Sequence, residues 1–157
     1  MIKTGYPHSL FNVETIHPFI EMDREFFEWP WSEKQWLDTL RDDSNYFVGA
    51  CWEEEELIGF ALFGLSKIES LAHLYKILIL EEFRGTQKAK KLLSAALVDI
   101  KQKGIDRVYL EVSVNNQQAV NFYKKSQFET LVKKRNFYSD GSSAFAMQKY
   151  LPENLSN

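Results

Sequence analysis

The sequence predicts an α/β fold built on a mixed sheet, and three observations predict it. The run Leu71–Leu80 is dense in branched and aromatic side chains, too apolar for an exposed edge, and reads as a central strand. After it, Ala89, Leu92, Leu93, Ala96, Leu97 and Ile100 recur at helical spacing, while Lys88, Lys90, Lys91, Ser94, Asp99 and Lys101 fill the opposite face. Strand-patterned and helix-patterned segments then succeed one another up to Tyr150, as in a sheet with helices packed on it.

The elements follow in order. Residues 1–17 are weakly patterned, with Tyr6-Pro7-His8 and His17-Pro18 reading as turns around a short strand near Leu10–Val13. From Phe19 to Phe27, the residues Phe19, Met22, Phe26 and Phe27 fit one helix face. Trp29-Pro30-Trp31 ends that helix, because proline disfavours helical backbone in the residue before it. Ser32 followed by Gln35 is a capping-box pattern, opening a second helix whose buried side is Trp36, Leu37 and Leu40. Tyr46–Trp52 and Leu57–Leu65 form a hairpin across Glu53–Glu56, an acidic run that like-charge repulsion keeps in solvent. The central strand and its helix come next, with Gly104 expected just past the helix end. In the following strand Arg107, Tyr109 and Glu111 alternate with Val108, Leu110 and Val112, so the first three share one face. Asn115 or Asn116 caps a third long helix, Gln117–Lys125, whose less polar positions are Ala119, Val120, Phe122 and Tyr123. Strands Phe128–Arg135 and Ser143–Tyr150 close the chain, joined across a segment whose Asp140-Gly141 pair signals a turn.

Composition narrows the classes of function. With 157 residues, 45% hydrophobic, and 12 Phe, 7 Tyr and 4 Trp, the chain supports one core and a single domain over 1–157. It has no uncharged apolar run of about eighteen residues and no charged-then-apolar leader pattern, so no membrane partner and a cytoplasmic location are expected. Its one cysteine, Cys51, excludes an internal disulfide and reads as a packing residue, since no base can be placed beside it. A net charge of −3 does not imply a nucleic-acid surface. His8, His17 and His73 are too scattered for metal ligation or a triad, so no metal is expected and none of them receives a role.

The turn Arg84-Gly85-Thr86-Gln87-Lys88-Ala89 is more informative. Free backbone N–H groups and the dipole at a helix start suit an anion, and a phosphate is the natural guest. The same residues also suit an ordinary strand-to-helix connection with solvated lysines. Glu111, near the end of the strand neighbouring the central one, and Tyr123, on the next helix, are placed to reach the cleft between strands. Alone, each reads as a surface carboxylate and a core aromatic.

Together these features resemble the GCN5-related N-acetyltransferases, in which an acyl-CoA pyrophosphate sits on an Arg/Gln-x-x-Gly-x-Gly/Ala turn. More narrowly, the chain is similar to the bacterial ribosomal-protein alanine N-acetyltransferases of RimI type, from about Ile16 to Leu151. The likeness lies in Trp29-Pro30-Trp31-Ser32-Glu33-Lys34, Leu110-Glu111-Val112, Asn116, Phe122-Tyr123-Lys124-Lys125-Ser126-Gln127-Phe128 and Arg135-Asn136-Phe137-Tyr138. It implies a mostly antiparallel mixed sheet of about six to seven strands, about four flanking helices, and a splayed central strand pair forming the acyl-CoA cleft.

The resemblance also implies acetyl-CoA as co-substrate. Ile77, Leu78 and Ile79 then pair with pantetheine, the stretch Arg84, Gly85, Thr86, Gln87, Lys88, Ala89 and Lys90 cradles the pyrophosphate, and Asn116 makes a further contact. Glu111 falls at the general base and Tyr123 at the general acid. The implied acceptor is a protein N-terminus, foremost the N-terminal alanine of a small-subunit ribosomal protein. Trp29, Trp31 and Tyr138 offer an aromatic rim for a peptide end, although core packing accounts equally well for the tryptophans. A monomer or homodimer is expected, with no direct nucleic-acid partner. Two departures stand out: Gln87 replaces the usual middle glycine of the turn, and Gln127-Phe128 replaces Gly-Phe. Two alternatives stay open, a small-molecule amine as acceptor and an acyl-CoA-binding module without turnover.

Overall fold

A computed structural model describes residues 1–155, so the last two positions of the expected 1–157 domain lie outside the described residues. The elements are β1 (Ile2–Gly5), α1 (Pro7–Leu10), α2 (His17–Phe26), α3 (Glu33–Arg41), β2 (Tyr46–Glu53), β3 (Glu56–Ser66), β4 (Leu71–Ile79), α4 (Lys88–Gln102), β5 (Arg107–Ser113), α5 (Gln117–Lys125), β6 (Glu129–Lys134) and β7 (Ala144–Tyr150). The strands form one sheet of seven in the order β1-β2-β3-β4-β5-β7-β6. The apolar density of β4 thus does mark the middle of the sheet.

Every neighbouring pair is antiparallel except β4 and β5. The exception follows from α4, which returns the chain to the same end of the sheet as a crossover helix. That parallel pairing is short. Leu71–His73 pair with Arg107–Tyr109, and beyond His73 the two strands part. The splayed central pair expected from the resemblance is therefore present.

Several local expectations hold for their stated reasons. Ser32 Oγ accepts from Gln35 N–H at 3.2 Å while Gln35 Oε1 accepts from Ser32 N–H at 2.8 Å, completing the capping box. Leu92, Leu93, Ala96, Leu97 and Ile100 are the buried side of α4, and Gly104 takes the left-handed conformation past its end, φ +86°. The acidic turn is exposed, and Cys51 is buried. On the face of the sheet where α2 and α3 sit, Phe19, Trp36 and Phe60 are fully buried, with Trp36 meeting Phe60 edge-on at 5.5 Å between centroids.

Others are corrected. No strand forms near Leu10–Val13: Pro7–Leu10 is a helical turn with Pro7 at its first position, where the missing N–H would have had no partner anyway. The first strand is instead Ile2–Gly5, pairing with Val48–Cys51. It is a four-residue edge strand with only Gly5 buried, so it leaves no alternation to read. This one-turn segment is the fifth α-helix, in keeping with the about four expected. On α2, Phe26 faces solvent at 47% exposure and Asp23 is buried in its place. On α3, Thr39 is buried and Leu37 is exposed, shifting the packed face by part of a turn.

Gly59 of β3 lies against the strand wall of the cleft. A Cβ there would stand 2.4 Å from the Leu78 carbonyl oxygen, and backbone cannot move aside as a side chain does. Gly59→Ala is therefore expected to cost about 1–3 kcal/mol, read as a lower urea midpoint.

Candidate active site

A cavity of about 650 Å³ opens where β4 leaves β5. Ile77, Leu78 and Ile79 form its strand wall, Arg84, Gly85, Gln87, Lys88, Ala89 and Lys90 its turn and helix-start wall, and Asn116 and Tyr123 its α5 wall. The expected cofactor residues are thus gathered around one space, apart from Thr86. That hydroxyl is turned into the loop, donating to the Phe83 carbonyl at 2.8 Å. Phe26, Phe27, Gln118, Ala119, Phe122 and Lys125 also line the cavity. Sequence reasoning did not place them there, because the approach of α2 and α5 to the end of β4 is a tertiary contact.

The turn is shaped by two left-handed residues, Gly85 at φ +82° and Gln87 at φ +59°. The first bond of α4 runs from Lys91 N–H to the Gln87 carbonyl at 3.0 Å, so the N–H groups before it remain free for an anion. Gln87 makes no side-chain cap of its own. Arg84 Nε donates to the Ile79 carbonyl at 3.0 Å, tying the turn to the end of the strand wall. Asn116 caps α5 by accepting from Ala119 N–H at 3.1 Å.

Tyr123 is 8% exposed and lines the cavity. Burial, with Tyr138 adding to it, pushes its phenol well above the ordinary tyrosine range, so the O–H stays protonated at any working pH. Glu111 does not line this cavity. Its Oε2 meets His73 Nε2 at 2.7 Å, and Lys134 Nζ donates to its Oε1 at 3.4 Å. Burial alone would raise the Glu111 pKa, but the His73 hydrogen bond, with Tyr109 and Lys134, outweighs it and holds the carboxyl below its ordinary range. Glu111 is therefore ionised at neutral pH. Because its folded value is depressed, the stability it contributes is present above the ordinary carboxylate range and is lost on acidification through the folded value.

His73 is the residue that sequence reasoning missed. It lines a second depression of about 320 Å³ together with Tyr46, Glu69 and Tyr75. The signal that finds it is the parallel register, His73 opposite Tyr109, which sets its ring one step from Glu111 on the neighbouring strand. The Trp29 and Tyr138 rings, expected at the rim, do not line the cavity but stack on one another at 4.4 Å and 10°, and Trp29 Nε1–H donates to Ser139 Oγ at 2.8 Å. Trp29 and Tyr138 therefore join the Trp29-Pro30-Trp31 loop to the Tyr138-Ser139 segment. Trp31 instead packs inward against Trp36, Tyr46 and Tyr75. Among the described residues no group of His, Cys, Asp and Glu side chains is arranged to hold a metal, and no helix is long and apolar enough to cross a membrane.

Comparison with known proteins accords with this geometry. The family model described as the acetyltransferase (GNAT) family matches residues 14–128. An N-alpha-acetyltransferase of Sulfurisphaera tokodaii is 32% identical over 116 residues, covering 67% of this chain and 68% of that protein. A ribosomal protein bS18-alanine N-acetyltransferase of Haemophilus ducreyi is 29% identical over 126 residues, 78% of this chain and 84% of that one. Among solved structures, NAA60 of Arabidopsis thaliana in complex with acetyl-CoA superposes with a TM-score of 0.79 at 17% identity, covering 96% and 99% of the two chains. The chain belongs to the acetyltransferase (GNAT) family. It is an N-acetyltransferase.

The left-handed backbone at Gln87 strains a residue that carries a Cβ, where glycine would not be strained. Gln87→Gly is expected to stabilise the fold by about 1 kcal/mol without weakening acetyl-CoA binding. Thermal melting with and without acetyl-CoA checks both statements.

Proposed function

We propose that this protein acetylates protein N-termini in the cytoplasm, with the N-terminal alanine of a small-subunit ribosomal protein as the foremost acceptor. The observation that carries the proposal is the parting of β4 from β5, which opens a cavity walled in part by a protonated phenol, while the half-buried, ionised Glu111 lies on β5 beyond the last residue paired with β4. The acceptor assignment draws support from relatives named N-alpha-acetyltransferase and ribosomal protein bS18-alanine N-acetyltransferase. It also draws on the Trp29–Tyr138 stack, whose aromatic surface suits an extended peptide end.

In this mechanism the turn and the start of α4 hold the diphosphate of acetyl-CoA, and the strand wall Ile77–Ile79 aligns its pantetheine arm. Glu111, oriented by His73, accepts the proton that the acceptor amine loses, directly or through a water. The amine nitrogen attacks the thioester carbonyl, and the C–S bond breaks as the C–N bond forms. A backbone N–H at or near Ile77, left unpaired where β5 has moved away, stabilises the oxyanion, a contribution of roughly 3 kcal/mol for one donor. The Tyr123 O–H donates to the departing sulfur. Its raised pKa makes full proton loss costly, so it works chiefly as a hydrogen-bond donor while thiolate charge develops. No covalent enzyme intermediate is needed, and Cys51 is buried away from this role.

Glu111→Gln and Tyr123→Phe are each expected to lower kcat by about 100-fold while leaving acetyl-CoA affinity nearly unchanged; equal rates for both variants and the unaltered protein would reject the roles. Since Glu111 is ionised throughout the neutral range, the acceptor amine governs the pH profile. The kcat/KM for a peptide should climb from about pH 6 and level off near the α-amine value of about 8. Mass spectrometry of ribosomal proteins from cells lacking this protein should show one small-subunit N-terminal alanine without its acetyl group, and an unaltered pattern counts against that acceptor.

A further inference from the structure

Two charged side chains are buried beside the cavity without lining it. Asp23 of α2 has no exposed surface and Lys76 of β4 is 5% exposed, and Lys76 Nζ donates to Asp23 Oδ1 at 2.7 Å. Apolar side chains could fill this space without desolvating two charges, so burial alone does not explain the pair. The rest of its hydrogen bonding does. Asp23 Oδ2 accepts from the Trp31 backbone N–H at 2.9 Å and from Trp36 Nε1–H at 2.8 Å, while Lys76 Nζ also donates to the Trp29 carbonyl at 3.2 Å. Those two backbone groups flank Pro30, which has no N–H of its own. The ion pair thus grips the Trp29-Pro30-Trp31 loop on both sides of its proline.

The same pair touches the acetyl-CoA side. The Lys76 ammonium lies over the Phe27 ring, 4.7 Å from its centroid, and Phe27 lines the cavity. The next residue along β4 is Ile77, the start of the strand wall. From the loop, Trp29 continues to Tyr138 and Ser139. One buried pair therefore links the strand that aligns the acyl donor to the loop on the acceptor side.

We infer that Asp23 and Lys76 are positioning residues that hold the acceptor loop in register with the acetyl-bearing strand. The inference rests on the acyl-transfer function proposed above. Neither side chain meets the reacting atoms; both act through the loop backbone. Apolar side chains of similar size would keep much of the packing but lose the paired grip on Trp29 and Trp31, freeing the loop and the stack it carries.

The test is the double variant Asp23→Leu with Lys76→Met, which removes both charges together rather than leaving one buried alone, and leaves no side-chain acceptor for the Trp31 N–H. Peptide acetylation kinetics and acetyl-CoA calorimetry are compared with those of the unaltered protein. A fall of tenfold or more in kcat/KM for the peptide, carried by a raised peptide KM, with the acetyl-CoA Kd within threefold, supports the inference. A smaller fall, or an equal loss of acetyl-CoA affinity, overturns it, since a merely structural pair would affect both substrates alike. Should the double variant not fold, amide exchange in the unaltered protein decides. Protection of the Trp31 N–H without any acceptor supports the grip, and exchange at the rate of an open amide overturns it. If the unaltered protein binds acetyl-CoA but acetylates no peptide, it is the proposed function that fails, and the Trp31 exchange measurement still decides the inference.

Discussion

The separation of two parallel strands governs everything else in this molecule. β4 and β5 hold one another for three residues and then diverge, so the far half of β4 faces β5 with no ladder partner. Unpaired backbone donors and acceptors inside a protein are costly, and they persist where something else is to pair with them. Here they border a cavity that also receives the start of a helix and a buried phenol. Were β4 and β5 paired along their whole length, the cavity, the free N–H groups and the gap beside Glu111 would disappear together.

Around that gap the charges are set by neighbours rather than by type. Glu111 is buried enough to be pushed toward the neutral form, yet His73 and Lys134 keep it ionised. Among the described residues Tyr123 has no such partner, and burial keeps it protonated. A carboxyl and a phenol are thereby driven to opposite protonation states. Asp23 and Lys76 show a third case, in which the charges neutralise one another and their remaining hydrogen bonds fix a loop.

How much was legible in advance depends on how local each feature is. The helix over Lys88–Gln102, its glycine terminus, the capping box at Ser32 and the alternation of β5 could all be read from nearby residues, because their signals repeat within a turn or two of chain. The resemblance added the positions of Glu111 and Tyr123. The edge strand Ile2–Gly5 escaped notice since four residues with one buried position carry no period. Asp23 escaped because a charged residue in a helix reads as solvent-facing, and only its meeting with Lys76, 53 positions along the chain, reverses that.

By itself, then, the sequence determined the kinds and order of the elements from α2 onward and the apolar centre at β4, which follow from spacing and side-chain chemistry along the chain. Only the tertiary structure decided that β4 and β5 part after His73, that His73 and not solvent sits on Glu111, and that Trp29 stacks on Tyr138 while Trp31 turns inward. Those outcomes depend on register and packing between segments tens of residues apart. A one-residue slip of register would turn every side chain of a strand to its other face without altering any local pattern.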